Sequence, residues 1–184
     1  MDITTSIMSE SDLIPISNIQ SENLRDNLAP GQLKDGYLSI AFSESEFKTL
    51  NRDLGVVVAR VRDQIVGYCC VSSATFNTQF PILDQIVADL STYEIPGTDR
   101  RPTETTTCFY GPACIAVPFR GRAVLPHLFS SGIHLARNAG YLFCFSFISA
   151  ENKRALKAHL KLPFNKVGKV DYNGKAYVVI ACKI

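Results

Sequence analysis

The chain has 184 residues, 19 of them Lys or Arg and 17 Asp or Glu, giving a formal net charge of +2, and 46% of it is apolar. That length suits one domain burying roughly 70% of the unfolded chain's surface, and the composition excludes wholesale disorder, a collagenous repeat and a coiled coil. So small a net charge provides no broad basic field, which argues against nucleic acid as a partner, and the longest strongly apolar stretch, Tyr141–Ala150, falls far short of the roughly 20 residues of a membrane span.

The N-terminal MDITTSIMSESD is acidic and polar, with neither a basic lead nor an apolar core, so secretion is not expected. From Ser9 to about Asn27, the residues Leu13, Ile16, Ile19 and Leu24 make a loose helical stripe interrupted by Pro15. Ala29-Pro30-Gly31 breaks the chain, and Gly36–Ile40 reads as a short extended piece. Ser43-x-x-Glu46 is a capping box that opens a helix burying Phe47 and Leu50 and ending near Gly55. Val56–Arg62 and Ile65–Ser73, joined at Asp63-Gln64, read as an antiparallel hairpin. Phe80–Leu90 carries Ile82, Leu83, Ile86, Val87 and Leu90 at helical spacing, and 96–102 is a loop. Thr105–Val117 is a long strand interrupted at Gly111-Pro112. The turn Pro118–Arg122 then leads into a helix from about Ala123 to Asn138, closed by Gly140. Tyr141–Ser149 is a very apolar strand and Asn152–Lys161 a short helix. Val167–Val170 and Lys175–Lys183 form a final hairpin around Tyr172-Asn173-Gly174, whose open edge would suit a homodimer. Without an internal repeat or linker, 1–184 reads as a single domain.

All six cysteines, Cys69, Cys70, Cys108, Cys114, Cys144 and Cys182, lie in or beside apolar strand-like runs. A chain of this size needs no covalent staples, so they read as buried free thiols of a reducing cytoplasm. No C-x-x-C pair occurs, and none of His127, His134 and His159 has ligand spacing to a cysteine, so no metal site is expected. His127 and His134 lie opposite the apolar stripe of the long helix and read as solvated or partner-facing.

Two segments carry chemistry. Phe119-Arg120-Gly121-Arg122-Ala123-Val124-Leu125 stands where a strand ends and a helix begins. The first N–H groups of a helix have no internal partner, Gly121 and Ala123 permit close approach, and Arg120 and Arg122 add charge, which together suit an anion. Two arginines before a helix are usually just solvated. Further on, Asn152, Ala155, Leu156 and His159 fall at i, i+3, i+4 and i+7, so Asn152 and His159 share one helix face, next to the anion segment if the two apolar strands pair in parallel. A hydrogen-bonded, partly buried histidine is the plainer reading of His159.

Taken together these residues resemble the GNAT superfamily of acetyl-CoA-dependent N-acetyltransferases. The family's pyrophosphate motif, Arg/Gln-x-x-Gly-x-Gly/Ala, is matched by Arg120-Gly121-Arg122-Ala123-Val124-Leu125. Its later motif, Asn-x-x-Ala-x-x-Leu-Tyr-x-x-x-Gly-Phe, is similar to Asn152-x-x-Ala155-x-x-Ala158-His159-x-x-x-Pro163-Phe164. Asp63–Val71 resembles the family's D-x-x-V-V-G-Y hairpin. Ala123 and Leu125 replace the motif glycines, His159 the usual tyrosine and Pro163 a glycine. An alanine at 123 is expected to fit if its φ is negative.

The resemblance implies an α+β fold: a twisted, mostly antiparallel sheet with a parallel, splayed pair of fourth and fifth strands and helices on both faces. It implies an acceptor-side part over 1–54 and an acetyl-CoA-binding core over 105–184. Pantetheine would pair with the main chain of Cys114, Ile115, Ala116 and Val117. The pyrophosphate would meet Arg120, Gly121, Arg122, Ala123, Val124 and Leu125, and Asn152 would belong to the same cofactor-binding set. Acetyl-CoA would be the co-substrate, with no metal and no membrane or nucleic-acid partner, and the acceptor an amine of a small molecule or protein. His159 stands at the family's general-acid position, expected to be partly protonated near pH 7 and to protonate the leaving thiolate. For the general base Tyr110, Glu104 and an ordered water chain stay open. The alternative function is a coenzyme A- or acyl-CoA-binding module with little turnover.

Overall fold

A computed structural model describes residues 1–184. Its seven strands are β1 (Thr4–Ile7), β2 (Gly55–Val61), β3 (Gln64–Ser73), β4 (Thr107–Ile115), β5 (Phe143–Ser149), β6 (Asn165–Tyr172) and β7 (Lys175–Lys183). They form one sheet in the order β1-β2-β3-β4-β5-β7-β6. Every pairing is antiparallel except that of β4 with β5. The helices are α1 (Leu13–Ser21), α2 (Glu44–Asp53), α3 (Ala74–Asn77), α4 (Pro81–Ala88), α5 (Val124–Asn138) and α6 (Lys153–His159). A parallel pair cannot be closed by a tight turn, and α5 is the crossover that joins β4 to β5.

The period of two along β3 sorts the core. Tyr68 and Cys70 point to the face covered by α1 and α2, whereas Cys69 and Val71 lie under α5. The α5 backbone comes close to the sheet at Gly132, where an added Cβ would stand 2.9 Å from Val71 Cγ2. A third apolar cluster packs α4 and Tyr93 against Phe143 and Phe145 of β5.

The capping box forms as read: Ser43 N donates to Glu46 Oε2 at 2.7 Å and Glu46 N to Ser43 Oγ at 3.3 Å. Pro15 does not interrupt its helix. It is the third residue of α1, where its missing N–H would have had no helical partner. The extended piece at 36–40 shrinks to a single bridge, Leu24 to Leu38. β1, for which the sequence gives no signal, lies on the sheet edge, and Arg60 joins it to the first turn by bonding Ser6 Oγ and Asp12 Oδ1, both at 2.6 Å. All six cysteines are buried and free, and Cys108, Cys144 and Cys182 stand side by side across β4, β5 and β7. No helix is long and apolar enough to cross a membrane.

Candidate active site

β4 and β5 run together for only three residues, Thr107–Phe109 against Phe143–Phe145. The next stretch of β4 holds two residues, Gly111 and Pro112, where β3 holds only Cys70. Such a bulge bends the strand that carries it. Pro112 has no N–H to offer a neighbour, and Gly111 takes a φ of +124°. β5 meanwhile stays paired with β7 as far as Ser149. The two strands therefore diverge, and two cavities open in the gap, of about 540 and 300 Å³, with Tyr37, Leu38, Ala113, Ala155 and His159 in the walls of both.

In the larger cavity, β4 contributes main chain. Ala116 N–H donates to Val66 O at 2.9 Å, toward β3. In an extended strand the N–H and C=O of Ile115 and Ala113 then face the opposite way, into the gap. Of the four residues expected to hold pantetheine, Cys114 and Ile115 line the cavity. Ala116 and Val117 do not, because Ala116 is committed to β3 and Val117 lies in a turn with its side chain in solvent. The thiol of Cys114 is turned beneath α1, 3.7 Å from Ile19 O, and burial pushes it up to about 12, which removes it as a nucleophile.

The turn before α5 holds Gly121 at φ +75° and Ala123 at φ +62°. The condition of a negative φ at Ala123 is therefore not met. A Cβ in this left-handed region costs roughly 1–2 kcal/mol, and the turn adopts it nonetheless. None of the five consecutive amides from Gly121 to Leu125 has a hydrogen-bond partner. Such a row of free N–H groups at a helix start is a concave anion cradle. Val124 points into the core, while Leu125 lines the cavity wall without closing it.

The charged and amide side chains assigned to the cofactor behave differently from expectation. Arg120 donates Nη1 to Asp35 O at 2.7 Å, Nε to Ile115 O at 3.3 Å, and Nη2 to Asn23 Oδ1 and to Gly36 O at 3.4 Å. Four of its five N–H donors are occupied by the protein, so it chiefly braces the turn. Arg122 is exposed and lies outside the cavity wall. Besides Arg120, the cavity wall carries positive charge from Arg154, Lys157 and Lys161, on and just after α6. Their i, i+3, i+7 spacing is the signal that could have found them.

Asn152 is likewise a brace. It caps α6, accepting from Ala155 N at 3.2 Å through Oδ1, and donates Nδ2 to Tyr37 O at 2.8 Å. Asn152 lies outside the wall of the larger cavity, so the cofactor role expected for it is not supported. Arg120 and Asn152 thus hold the same segment, residues 35–37, by its carbonyls. Arg25 adds a third hold, its guanidinium 5.2 Å over the Tyr37 ring. This strap crosses the place where the cavities meet.

His159 is 8% exposed, its ring stacked against Tyr110 and Phe164 at 6.1 and 6.3 Å. Nδ1 lies 2.9 Å from Ala155 O. A carbonyl only accepts, so Nδ1 carries the hydrogen and Nε2 is left with a lone pair. Burial draws the imidazole below its ordinary 6.5, against the opposing pull of the Ala155 bond. Burial thus shifts the expected partial protonation toward the uncharged ring, a base at neutral pH.

Tyr110, a candidate base, does not fit that role. Its ring is buried against Phe129 and Phe164, and its hydroxyl, beside the Cys69 thiol, has no hydrogen-bond partner. Burial pushes the phenol well above 10, so its phenolate is not formed at any working pH. Glu104 lies outside both cavities and accepts from Thr75 Oγ1 at 3.1 Å.

No family model and no curated protein matches the sequence. Solved structures do match over essentially the whole chain. Ard1 from Thermoplasma volcanium superposes with a TM-score of 0.68 at 13% identity, covering 100% of this chain and 99% of that one. A GCN5-related N-acetyltransferase from Kribbella flavida gives 0.64 at 14%, covering 99% and 98%. A chain of the NatC complex bound to Gag peptide and CoA gives 0.65 at 11%, covering 100% and 99%. The fold of this chain is the GNAT fold: a mostly antiparallel seven-stranded sheet with one parallel, splayed pair.

Proposed function

We propose that the chain is an N-acetyltransferase that moves an acetyl group from acetyl-CoA directly to an amine. The observation that carries this reading is the meeting of two cavities at one unprotonated histidine, in the gap between diverging parallel strands. The larger cavity suits the coenzyme. The amides of Gly121–Leu125 would take the diphosphate, the main chain of Ala113 and Ile115 would pair with the pantetheine amides, and Arg154, Lys157 and Lys161 would offset the remaining negative charge. The smaller cavity suits the acceptor.

In this reading the amine nitrogen attacks the thioester carbon, forming the C–N bond. A β4 amide N–H stabilises the developing oxyanion. His159 Nε2 takes the proton that the nitrogen must lose. As the C–S bond breaks, the same imidazolium returns that proton to the thiolate, a leaving group of pKa about 8.5 as a simple thiol. One residue touching both cavities thus serves as base and then as acid, and His159 is neutral again after each turnover. The bulkier residues at 123 and 125 leave the five amides free and the cavity open, so they do not favour the binding-only alternative. Six unpaired thiols suit a reducing cytoplasm.

The test uses the purified full chain, acetyl-CoA and a panel of amines, read by thiol release. Amine-dependent release is expected, with His159→Gln lowering kcat by about 10²-fold or more while coenzyme A affinity stays within about threefold. Absence of a thermal shift at millimolar acetyl-CoA would refute the reading, since a native-state ligand must stabilise.

A further inference from the structure

The walls of the smaller cavity carry a second message. Among the 25 residues that line it there is no Asp, Glu, Lys or Arg. Sixteen are hydrophobic, and the polar remainder is chiefly serine and asparagine, with His159 uncharged. An ammonium entering this space would give up water without meeting a counter-charge, a large penalty in an apolar site. Two aromatic pairs face the space, Phe42 with Phe80 at 6.0 Å and Phe147 with Tyr177 at 5.8 Å, and they offer ring edges and faces on two sides. At the mouth, Ile40 is 40% exposed and Ile82, Phe147, Tyr172 and Tyr177 are only half-buried. That apolar surface has no cover from the protein itself.

Resting on the transferase reading above, we infer that the acceptor is a small aromatic amine that enters the chamber uncharged, an arylamine instead of an alkylammonium, a polyamine or a lysine side chain. Two constraints converge on this class. The volume of about 300 Å³ is at the small end for ligand pockets and suits a substituted ring better than a large substrate. A simple alkylamine resembles lysine, with pKa about 10.4, so only about one molecule in 2,500 is neutral at pH 7. No carboxylate stands in the chamber to extract its proton or to hold its cation. An arylamine has its lone pair free at neutral pH, and its ring fills the apolar walls.

A matched pair of isomers separates the possibilities, since 4-ethylaniline and 2-phenylethylamine share one formula and differ in basicity. With wild-type chain and acetyl-CoA at pH 7, kcat/KM for 4-ethylaniline is expected to exceed that for 2-phenylethylamine at least tenfold, with spermidine inert. Ile82→Glu sets a carboxylate on the chamber's half-buried lip, on the partly solvated helix α4, and should raise 2-phenylethylamine relative to 4-ethylaniline at least tenfold. Thermal shifts in the presence of coenzyme A give a second readout independent of turnover. If 4-ethylaniline stabilises the chain, spermidine does not, and no amine is acetylated, the chamber assignment holds and the transferase reading fails. If spermidine, 2-phenylethylamine or a Phe-initiated tripeptide is acetylated as fast as 4-ethylaniline or faster, the transferase reading holds and this inference is overturned. It is also overturned if 4-ethylaniline neither binds nor reacts.

Discussion

Replacing Asn152 by alanine is expected to lower stability before it touches chemistry. Two bonds go: the Oδ1 cap on Ala155 N at 3.2 Å and the Nδ2 bond to Tyr37 O at 2.8 Å. Loss of an N-cap costs about 1 kcal/mol. The Tyr37 carbonyl, left without its partner in a buried site, adds about 1–2 kcal/mol. The sum is about 2–3 kcal/mol, and in a chain of this size each kcal/mol moves Tm by about 2–4 °C, giving about 4–12 °C. Asn152→Ser keeps a capping oxygen but cannot reach the strap, so it should lose about half as much. Urea unfolding followed by circular dichroism reads the difference, with an unchanged m-value as the sign that only stability moved. A loss below about 0.5 kcal/mol for the alanine variant, or a serine variant no better than alanine, would refute the claim that Asn152 is a brace.

His159 is held neutral by burial, so the folded chain binds fewer protons than the unfolded one just below pH 6.5. Its contribution is therefore complete above about pH 6.5 and declines as pH falls toward the lower folded-state value, and His159→Gln should flatten that part of the pH–stability curve. Identical curves for wild type and variant across this window would contradict the assignment. Ala123→Gly removes the left-handed Cβ at φ +62°. Against the extra entropy of glycine in the unfolded chain this should gain about 0.5–1 kcal/mol by denaturant titration, with coenzyme A affinity maintained; a loss of stability would show that the turn is not strained. Gly132→Ala ought to stabilise a helix interior by about 1 kcal/mol on propensity alone. Here the new Cβ meets Val71 Cγ2 at 2.9 Å, so a net loss of about 1–2 kcal/mol is expected in the same assay, and a gain would mean that α5 can lift from the sheet.

Local signals were legible and long-range partners were not. The Ser43/Glu46 box, the turn after β2 and the helix following Arg122 all rest on residues within a few positions of one another, and each forms. The spacing of Asn152 and His159 anticipated their neighbourhood: Asn152 caps α6, His159 ends it, and both line the smaller cavity. It could not show where their hydrogen bonds end. Asn152 reaches a carbonyl 115 residues upstream and Arg120 one 85 residues upstream, and no periodicity encodes such pairs. Tyr110 is a related case: its place in β4 was clear, but not that Phe129 of α5 and Phe164, distant in the chain, bury its ring. β1 escaped notice because Thr4–Ile7 is short, mostly exposed and stabilised by pairing with β2.

One extra residue in β4 determines more than a bend. Side chains alternate along a strand, so whatever follows the Gly111-Pro112 insertion is shifted by one step relative to what precedes it. Delete that step and Ala113 would exchange faces with Cys114, sending the thiol to the α5 face and the methyl beneath α1. The backbone could then zip onto Ser146–Ser149, and the sheet would close over its own entrance. The difference between an inert sandwich layer and a vestibule for two reactants therefore amounts to a single amino acid, placed where the ladder would otherwise have continued.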